Sequence, residues 1–177
     1  KNIPGLLDAY ERLLSRGPVP PLVLAGAATG DQPDWRRRLD RPPLAGRVHL
    51  LGYVEESQKS ALFRDAALLV LPSFEEGFGL PVLEAMAVGV PVIASRAGAI
   101  PEVLGDAGIL VTPGDSGALA DAMARVLEDR RLSDALRERG QARAGAFDWA
   151  ASAQALLETL GEAVTRKART RAAQGRG

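Results

Sequence analysis

Glu76 and Glu84 flank a glycine-rich segment that could hold a phosphorylated ligand. Gly77 and Gly79 allow the backbone to approach a ligand closely and tolerate a positive φ. Pro81 suits the first turn of a helix, whose free N–H groups and positive dipole end bind anions. Carboxylates placed against the phosphate itself would be repelled, so we expect each to accept hydrogen bonds from hydroxyl groups beside it. A nucleotide sugar has this layout, because a ribose and a hexose lie on either side of its diphosphate.

The two glutamates could instead be surface carboxylates near a helix start, where acidic side chains are favourable. Three features coincide at this segment, however: an apolar run before it, two glycines within it and a helix start at its end. Their coincidence favours a ligand site over two unrelated surface charges.

Five short apolar runs, bounded by turn-forming residues, predict the strands that position this segment. They cover residues 22–25, 48–51, 68–71, 90–94 and 108–111. Helical spacing predicts helices after Pro4 and over residues 58–66, 81–88 and 118–127, and residues 30–43 are expected to form an irregular connection. The alternation predicts an α/β fold with a Rossmann-like, doubly wound parallel sheet covered on both faces. Ligands bind such sheets at the carboxyl ends of the strands, where the Glu76 segment begins.

The sequence pattern predicts that the last third of the chain is helical. Asp115 and Ser116 are expected to cap a helix through Glu128, a second helix covers residues 132–144, and Trp149 opens a helical tail of about residues 149–172. One stripe of this tail is apolar, comprising Leu156, Leu157, Leu160 and Val164. The basic residues that follow suit either a solvated helix end or contact with an anionic membrane; they are Arg166, Lys167, Arg169 and Arg171.

Composition excludes several classes of protein. The chain has 177 residues, 22 basic and 22 acidic side chains, and no Cys. Zero net charge gives no general attraction to nucleic acid, and no apolar run approaches the roughly 20 residues that span a bilayer. We therefore expect one domain in the cytoplasm. The abrupt start at a helix entrance suggests a fragment of a longer protein.

The motifs closely resemble the nucleotide-sugar-binding, C-terminal half of retaining glycosyltransferases with the two-domain GT-B fold, in particular the family-4 group. The central match is EGFGLPVLE from Glu76 to Glu84, the paired-glutamate signature of that family. Further matches are AMAVGVPVIA after Glu84, GAIPEV from Gly98, GILV from Gly108, LGYV from Leu51 and FDW from Phe147. The resemblance covers essentially the whole chain and implies one half of a GT-B fold with a helical C-terminal segment. It also implies that the chain near Trp149 crosses back toward the other half, which would leave the apolar stripe exposed.

The resemblance implies a role for each site residue. Glu76 would contact hydroxyls of the donor sugar and Glu84 those of the ribose. The segment Gly77, Phe78, Gly79, Leu80 and Val82 would bind the donor, with the amides of Gly79, Leu80 and Val82 facing the diphosphate. Lys1 matches the family lysine that neutralises the diphosphate and stabilises the departing nucleotide. The companion arginine of the family would lie upstream of this chain.

A second turn follows the run at residues 48–51, and the resemblance implies a nucleobase site there. In the family, the backbone at Val54 reads a base edge, and Lys59 is a further donor-binding residue. Glu56 could accept from the N1–H and amino groups of guanine, which favours a GDP-sugar over a UDP-sugar. Glu55 and Glu56 could equally cap the next helix. Arg96, Gly98 and Ala99 border the loop at the carboxyl end of the strand predicted at residues 90–94. This loop could contact the sugar or the acceptor; alternatively, Arg96 is a solvated side chain.

Together these features predict the donor-binding half of an enzyme that transfers a hexose from a GDP- or UDP-sugar to an acceptor hydroxyl with retention. No Asp-x-Asp pair or His-carboxylate cluster indicates a metal, and no other cofactor is expected. The missing N-terminal half would supply the site for a glycan, lipid or small-molecule acceptor, and the complete enzyme could associate peripherally with membranes. The fragment alone should bind donor without turnover. A non-catalytic nucleotide-sugar-binding module and a sugar-nucleotide epimerase are the alternatives.

Overall fold

Strands and helices alternate along the chain, as the sequence predicts. The computed structural model describes residues 1–26, 34–148, 150, 153–154 and 156–160. In chain order the elements are α1 (Ile3–Leu14), β1 (Leu22–Ala25), a 3₁₀-helix (Asp34–Arg38), β2 (Val48–Gly52), α2 (Glu56–Asp65), β3 (Leu69–Leu71), α3 (Leu80–Ala87), β4 (Val92–Ser95), α4 (Ile100–Leu104), β5 (Ile109–Val111), α5 (Ser116–Glu128) and α6 (Arg130–Ala144). All five predicted strands are present, and α4 is an additional helix that the pattern did not indicate.

The strands pair in parallel, which confirms the α/β class. Strand β1 pairs with β2, and β4 lies between β3 and β5. Within the described residues these are two hydrogen-bonded sheets rather than one continuous ladder.

Coverage by helices differs between the two sheets. Strand β4 is buried along its whole length, as expected for a strand covered on both faces. In β1 only alternate residues face the core: Leu22 and Leu24 pack against it, whereas Val23 is exposed. Leu50 in β2 is exposed as well. The prediction of two covered faces is therefore wrong for β1 and β2, because alternate residues of β1 and all residues of β2 after Val48 are exposed.

The core is built largely on α1 and α5, which pack against each other. Helix α1 buries Leu6, Leu7, Tyr10 and Leu13 at the predicted helical spacing. Asp115 caps α5 as predicted, since its Oδ1 accepts a hydrogen bond of 2.8 Å from the Ala118 amide. The start of α1 lies beside the carboxyl end of β3, where Nδ2 of Asn2 donates to the Pro72 carbonyl at 3.1 Å.

Residues 1–144 form one compact unit and residues 145–177 a second. In the second unit residues 156–160 are helical, and Leu156, Leu157 and Leu160 are exposed, as predicted for the apolar stripe. Trp149, Val164 and the basic residues 166–171 lie outside the described residues. In the part of the chain that the structure describes, no helix has the length and apolar character needed to cross a bilayer.

Candidate functional site

The Glu76 carboxylate lies in the loop that leaves the carboxyl end of β3. Only 12% of its side chain is exposed. Its Oε1 accepts a hydrogen bond of 2.8 Å from the hydroxyl of Ser73, and the ammonium of Lys1 donates to the same oxygen. Lys1 and Glu76, separated by 75 positions in sequence, are thus brought into direct contact, which the sequence analysis did not predict.

These contacts keep Glu76 ionised. Partial burial on its own raises the pKa of a carboxyl group, but the hydrogen bonds from Lys1 and Ser73 outweigh it and hold the pKa of Glu76 below its ordinary value. A carboxylate held in this form accepts hydrogen bonds, which suits recognition of hydroxyl groups.

The backbone of Glu76 is supported from the loop after β4. Gly98 has φ 52°, and a Cβ at this position would lie 1.9 Å from the Glu76 carbonyl oxygen. The amide of Ala99 donates to the same oxygen at 3.4 Å. Gly98 and Ala99 thus hold the backbone of Glu76, whereas Arg96 beside them is exposed.

Gly79 is the N-cap residue of helix α3 and has a positive φ of 84°, which a glycine tolerates. A Cβ on Gly79 would lie 2.3 Å from Cδ1 of Ile100, so a side chain would collide here. Gly77 differs: its φ is not positive and a Cβ would meet nothing within 4 Å. Gly77 therefore does not use the freedom of glycine to adopt a positive φ, but the open space there would allow a ligand to approach the backbone closely.

The first turn of α3 engages one of the amides that were expected to face a diphosphate. The Val82 N–H donates to the Gly79 carbonyl at 2.8 Å, and the Val82 side chain is buried. Leu80 and Phe78, in contrast, are exposed at the start of the helix. The amides of Gly79 and Leu80 therefore remain as the donors at this helix start.

Glu84 is joined to the second predicted turn through a lysine. The ammonium of Lys59 lies 2.9 Å from Oε1 of Glu84 and 2.9 Å from Oε2 of Glu56. Hydrogen bonds to Glu84 and then to Glu56 raise the pKa of Lys59 above its ordinary value. Residues from α2 and α3 thus form one cluster with two negative charges and one positive charge.

The structure separates the roles of the two acidic residues that precede α2. Glu55 is the N-cap residue, and its amide donates to the side chain of Gln58 at 3.0 Å in a capping box. Glu56 instead contacts Lys59, with 79% of its side chain exposed. The capping interpretation therefore holds for Glu55, and Glu56 remains available to a ligand beside the half-buried Val54.

Two supporting residues escaped the sequence analysis as partners of Glu76: Ser73 and, in its backbone role, Gly98. Ser73 is a small polar residue that follows Pro72 at the end of an apolar run, three positions before Glu76. That position gives a weak signal in the sequence. Gly98 gives none, because its contact depends on how two separate loops meet.

The arrangement provides charged groups suited to a polyol phosphate. Two carboxylates, each hydrogen-bonded to a lysine, belong to the same strand–loop–helix segment, and a helix start lies between them. Among the described residues no group of three or more His, Asp or Glu side chains could hold a metal ion.

Comparison with known proteins relates this site to one family. Residues 1–129 match a family model described as glycosyl transferases group 1. The chain is 39% identical over 150 residues to the O-antigen chain mannosyltransferase B of Escherichia coli, a match that covers 84% of this chain and 39% of that protein. It is 34% identical over 152 residues to the phosphatidyl-myo-inositol mannosyltransferase of Mycolicibacterium smegmatis, covering 84% of this chain and 38% of that protein.

A solved structure agrees with these sequence matches. Anabaena Alr3699/HepE, in complex with UDP-glucose, superposes with a TM-score of 0.81 and 29% sequence identity, covering 92% of this chain and 45% of that one. The chain therefore spans less than half the length of these relatives.

Proposed function

Since the chain belongs to the glycosyl transferases group 1 family, we propose that it binds the nucleotide-sugar donor of an enzyme that transfers a hexose to an acceptor hydroxyl. One observation carries the proposal: Glu76 and Glu84 lie on either side of a glycine-led helix start, and each is hydrogen-bonded to a lysine. The hexose is supported by relatives named as mannosyltransferases and by the neighbour that holds UDP-glucose.

Each carboxylate contacts a different part of the donor in this proposal. Glu76 accepts hydrogen bonds from hydroxyls of the transferred sugar, and Glu84 accepts them from the ribose. The diphosphate lies at the start of α3, where the amides of Gly79 and Leu80 and the helix dipole stabilise its negative charge. The engaged amide of Val82 supports the turn rather than the ligand.

The lysines can serve the donor without leaving their carboxylates. A lysine ammonium has three N–H donors. Lys1 directs one of them to Glu76, and Lys59 directs one each to Glu84 and Glu56. Donors remain on both lysines for phosphate oxygens, and a positive charge at Lys1 stabilises the charge that develops on the departing diphosphate.

We propose transfer with retention of anomeric configuration, assisted by the leaving phosphate on the same face of the sugar. Glu76 orients the sugar and stabilises its positive charge in the transition state, and it is not the nucleophile. Its hydrogen bonds to Lys1 and Ser73 support this role, because they reduce the availability of its Oε1 for bond formation. The acceptor, whether a glycan, lipid or small molecule, binds to the part of the protein outside this chain, so the chain alone binds donor without turnover.

Calorimetry with bare nucleotides and nucleotide sugars tests the division of roles. Glu84→Ala should weaken binding of both GDP and UDP by about 1.5–3 kcal/mol, because it removes a charge-assisted hydrogen-bond set. Glu76→Ala should weaken binding of the nucleotide sugar far more than that of the bare nucleotide. Glu75→Ala, which changes the exposed neighbour of Glu76, is the matched control and should leave both affinities unchanged.

Equal losses for nucleotide and nucleotide sugar in Glu76→Ala would contradict the assignment of Glu76 to the sugar. Unchanged nucleotide affinity in Glu84→Ala would contradict the ribose contact. Restoring the rest of the protein and measuring donor consumption with an acceptor separates a transferase from a module that binds without turnover, and product analysis separates it from an epimerase.

A further inference from the structure

We propose that Asn2 is a positioning residue that holds Lys1 against Glu76 by tying the start of α1 to the end of β3. The inference rests on the proposed function, since it concerns the lysine and the glutamate assigned there to the donor. Asn2 itself is assigned no contact with the donor.

The backbone of Asn2 has an unusual conformation. Its φ of 55° and ψ of 42° lie in the left-handed region, and among the described residues it is the only non-glycine residue with a positive φ. L-residues disfavour this region, although Asn tolerates it better than most because its side chain can hydrogen-bond locally. The conformation turns the chain sharply between Lys1 and the first turn of α1.

The side chain of Asn2 connects two elements. Its Oδ1 accepts a hydrogen bond of 3.3 Å from the amide of Gly5 and so caps α1. Its Nδ2 donates to the carbonyl of Pro72 at 3.1 Å, across 70 positions of sequence. Pro72 is buried and directly precedes Ser73, which holds Glu76. The same short stretch after β3 therefore receives Asn2 and supports the carboxylate that Lys1 contacts.

Gly5 makes room for this connection. A Cβ on Gly5 would lie 2.6 Å from Oδ1 and 2.7 Å from Nδ2 of Asn2. A side chain at position 5 would displace the amide that bridges the two elements. Glycine has a low helix propensity, and its presence in the first turn of α1 is explained by the space that the Asn2 side chain needs.

Lys1 depends on such an anchor because its own side chain is not held by packing. The side chain is 67% exposed. Fixing it in the one rotamer that reaches Glu76 costs side-chain conformational entropy, which opposes the Lys1–Glu76 contact. The position of its backbone then decides how often the ammonium reaches Glu76. Asn2 sets that position relative to Pro72 and Ser73.

The experiment measures how far Lys1→Ala raises the pKa of the Glu76 carboxyl, by carbon-13 NMR titration, in three backgrounds. These are the unsubstituted chain, Asn2→Gly and Asn2→Asp. Glycine keeps the left-handed backbone without the bridging amide, and aspartate keeps the acceptor for Gly5 but removes the donor to Pro72. Because each background is its own reference, a direct charge effect of aspartate cancels.

We expect Lys1→Ala to raise the pKa of Glu76 in the unsubstituted chain and this rise to be roughly halved or more in both Asn2 variants. Asp129→Gly, which removes the side-chain cap of α6 at the Leu132 amide, is the matched control for loss of a helix cap and should leave the rise intact. An undiminished rise in either folded Asn2 variant would overturn the proposal.

Binding of GDP and UDP by the same variants separates this inference from the proposed function. If Asn2→Gly weakens nucleotide binding about two- to tenfold, and does so only while Lys1 is present, both stand. If Lys1→Ala leaves nucleotide binding unchanged while the Asn2 variants still lose the coupling to Glu76, the donor role of Lys1 fails and positioning by Asn2 stands.

Discussion

Two strand–turn–helix units contribute to the site, and they are built in different ways. In the unit from β3 to α3, the helix buries Val82, Ala85 and Met86. Its strand, β3, pairs with the fully buried β4. The unit from β2 to α2 has no buried helix residue, and β2 is largely exposed. Packing positions the first unit, whereas a capping box and ion pairs position the second.

The difference indicates which part of the site tolerates change. Around Glu76 the backbone touches other backbone, so a substitution there shifts the carboxylate itself. Around Glu56 the contact joins an exposed carboxylate to a half-buried lysine, and the exposed partner rearranges at little energetic cost. In terms of the proposed function, the contact of Glu76 with the sugar is fixed by the fold, whereas the contacts of Glu56 are open to single substitutions.

Gly98→Ala and Gly52→Ala compare the two units directly, because both glycines have a positive φ, of 52° and 67° respectively. A Cβ on Gly98 meets the Glu76 carbonyl oxygen, but on Gly52 it meets nothing within 4 Å. We expect Gly98→Ala to lower the free energy of unfolding by about 2–5 kcal/mol, from backbone strain plus overpacking. Gly52→Ala should lower it by about 1–2 kcal/mol, from strain alone.

Urea unfolding of both variants measures these values. Gly77→Ala is the control, because that position has neither a positive φ nor a close neighbour. Equal destabilisation by Gly98→Ala and Gly52→Ala would show that the loop after β4 does not hold Glu76 as tightly as the contact implies.

Ser73→Ala tests the side-chain support within the packed unit. It should lower the free energy of unfolding by about 0.5–1.5 kcal/mol at neutral pH, since one hydrogen bond to Glu76 is lost. Because the pKa of Glu76 is lowered in the folded state, the stability from its hydrogen bonds is present above its unfolded pKa and is lost as pH falls through the folded pKa. Ser73→Ala should therefore raise the pKa of Glu76, and the difference from the unsubstituted chain should shrink in acid.

Unfolding measured from neutral to acidic pH checks this dependence. Ser95→Ala, at a buried serine near the end of β4, is the control and should shift stability by an amount that does not follow the titration of Glu76. A constant deficit for Ser73→Ala at every pH would mean that its hydroxyl supports the fold but not the carboxylate.

Glu56→Gln should have the smallest effect on stability. The Glu56 side chain is mostly exposed, and exposed ion pairs contribute about 0–1 kcal/mol, so we expect a loss below about 0.5 kcal/mol in the free energy of unfolding. Binding should respond more selectively: GDP affinity should fall about two- to fivefold relative to UDP, because glutamine offers guanine one acceptor and a competing donor. Calorimetry with both nucleotides measures the ratio, and an unchanged ratio would contradict the guanine contact that the sequence analysis expects of Glu56.

Local sequence pattern predicted much of the architecture and the elements that carry the candidate site residues. The strands, the Asp115 cap, a helix start within one residue of Pro81, and the placement of Glu76 in the loop and Glu84 in the helix all follow from residues close in sequence. The contacts that complete the site do not. Lys1 to Glu76 and Lys59 to Glu84 join positions 75 and 25 apart, and neither spacing carries a periodic signal. The exposed face of β1 and β2 was mispredicted for a related reason, because an apolar run does not reveal how many helices cover it.

Phe74 and Phe78 lie in the same loop as Glu76, and they are 61% and 41% exposed. Water that wets these rings also screens the neighbouring Lys1–Glu76 pair. Any surface that covers the rings would exclude that water and lower the local dielectric, which strengthens every charge interaction in the loop several-fold. Covering Phe74 and Phe78 would thus strengthen the attraction between Lys1 and Glu76 without a change in either side chain.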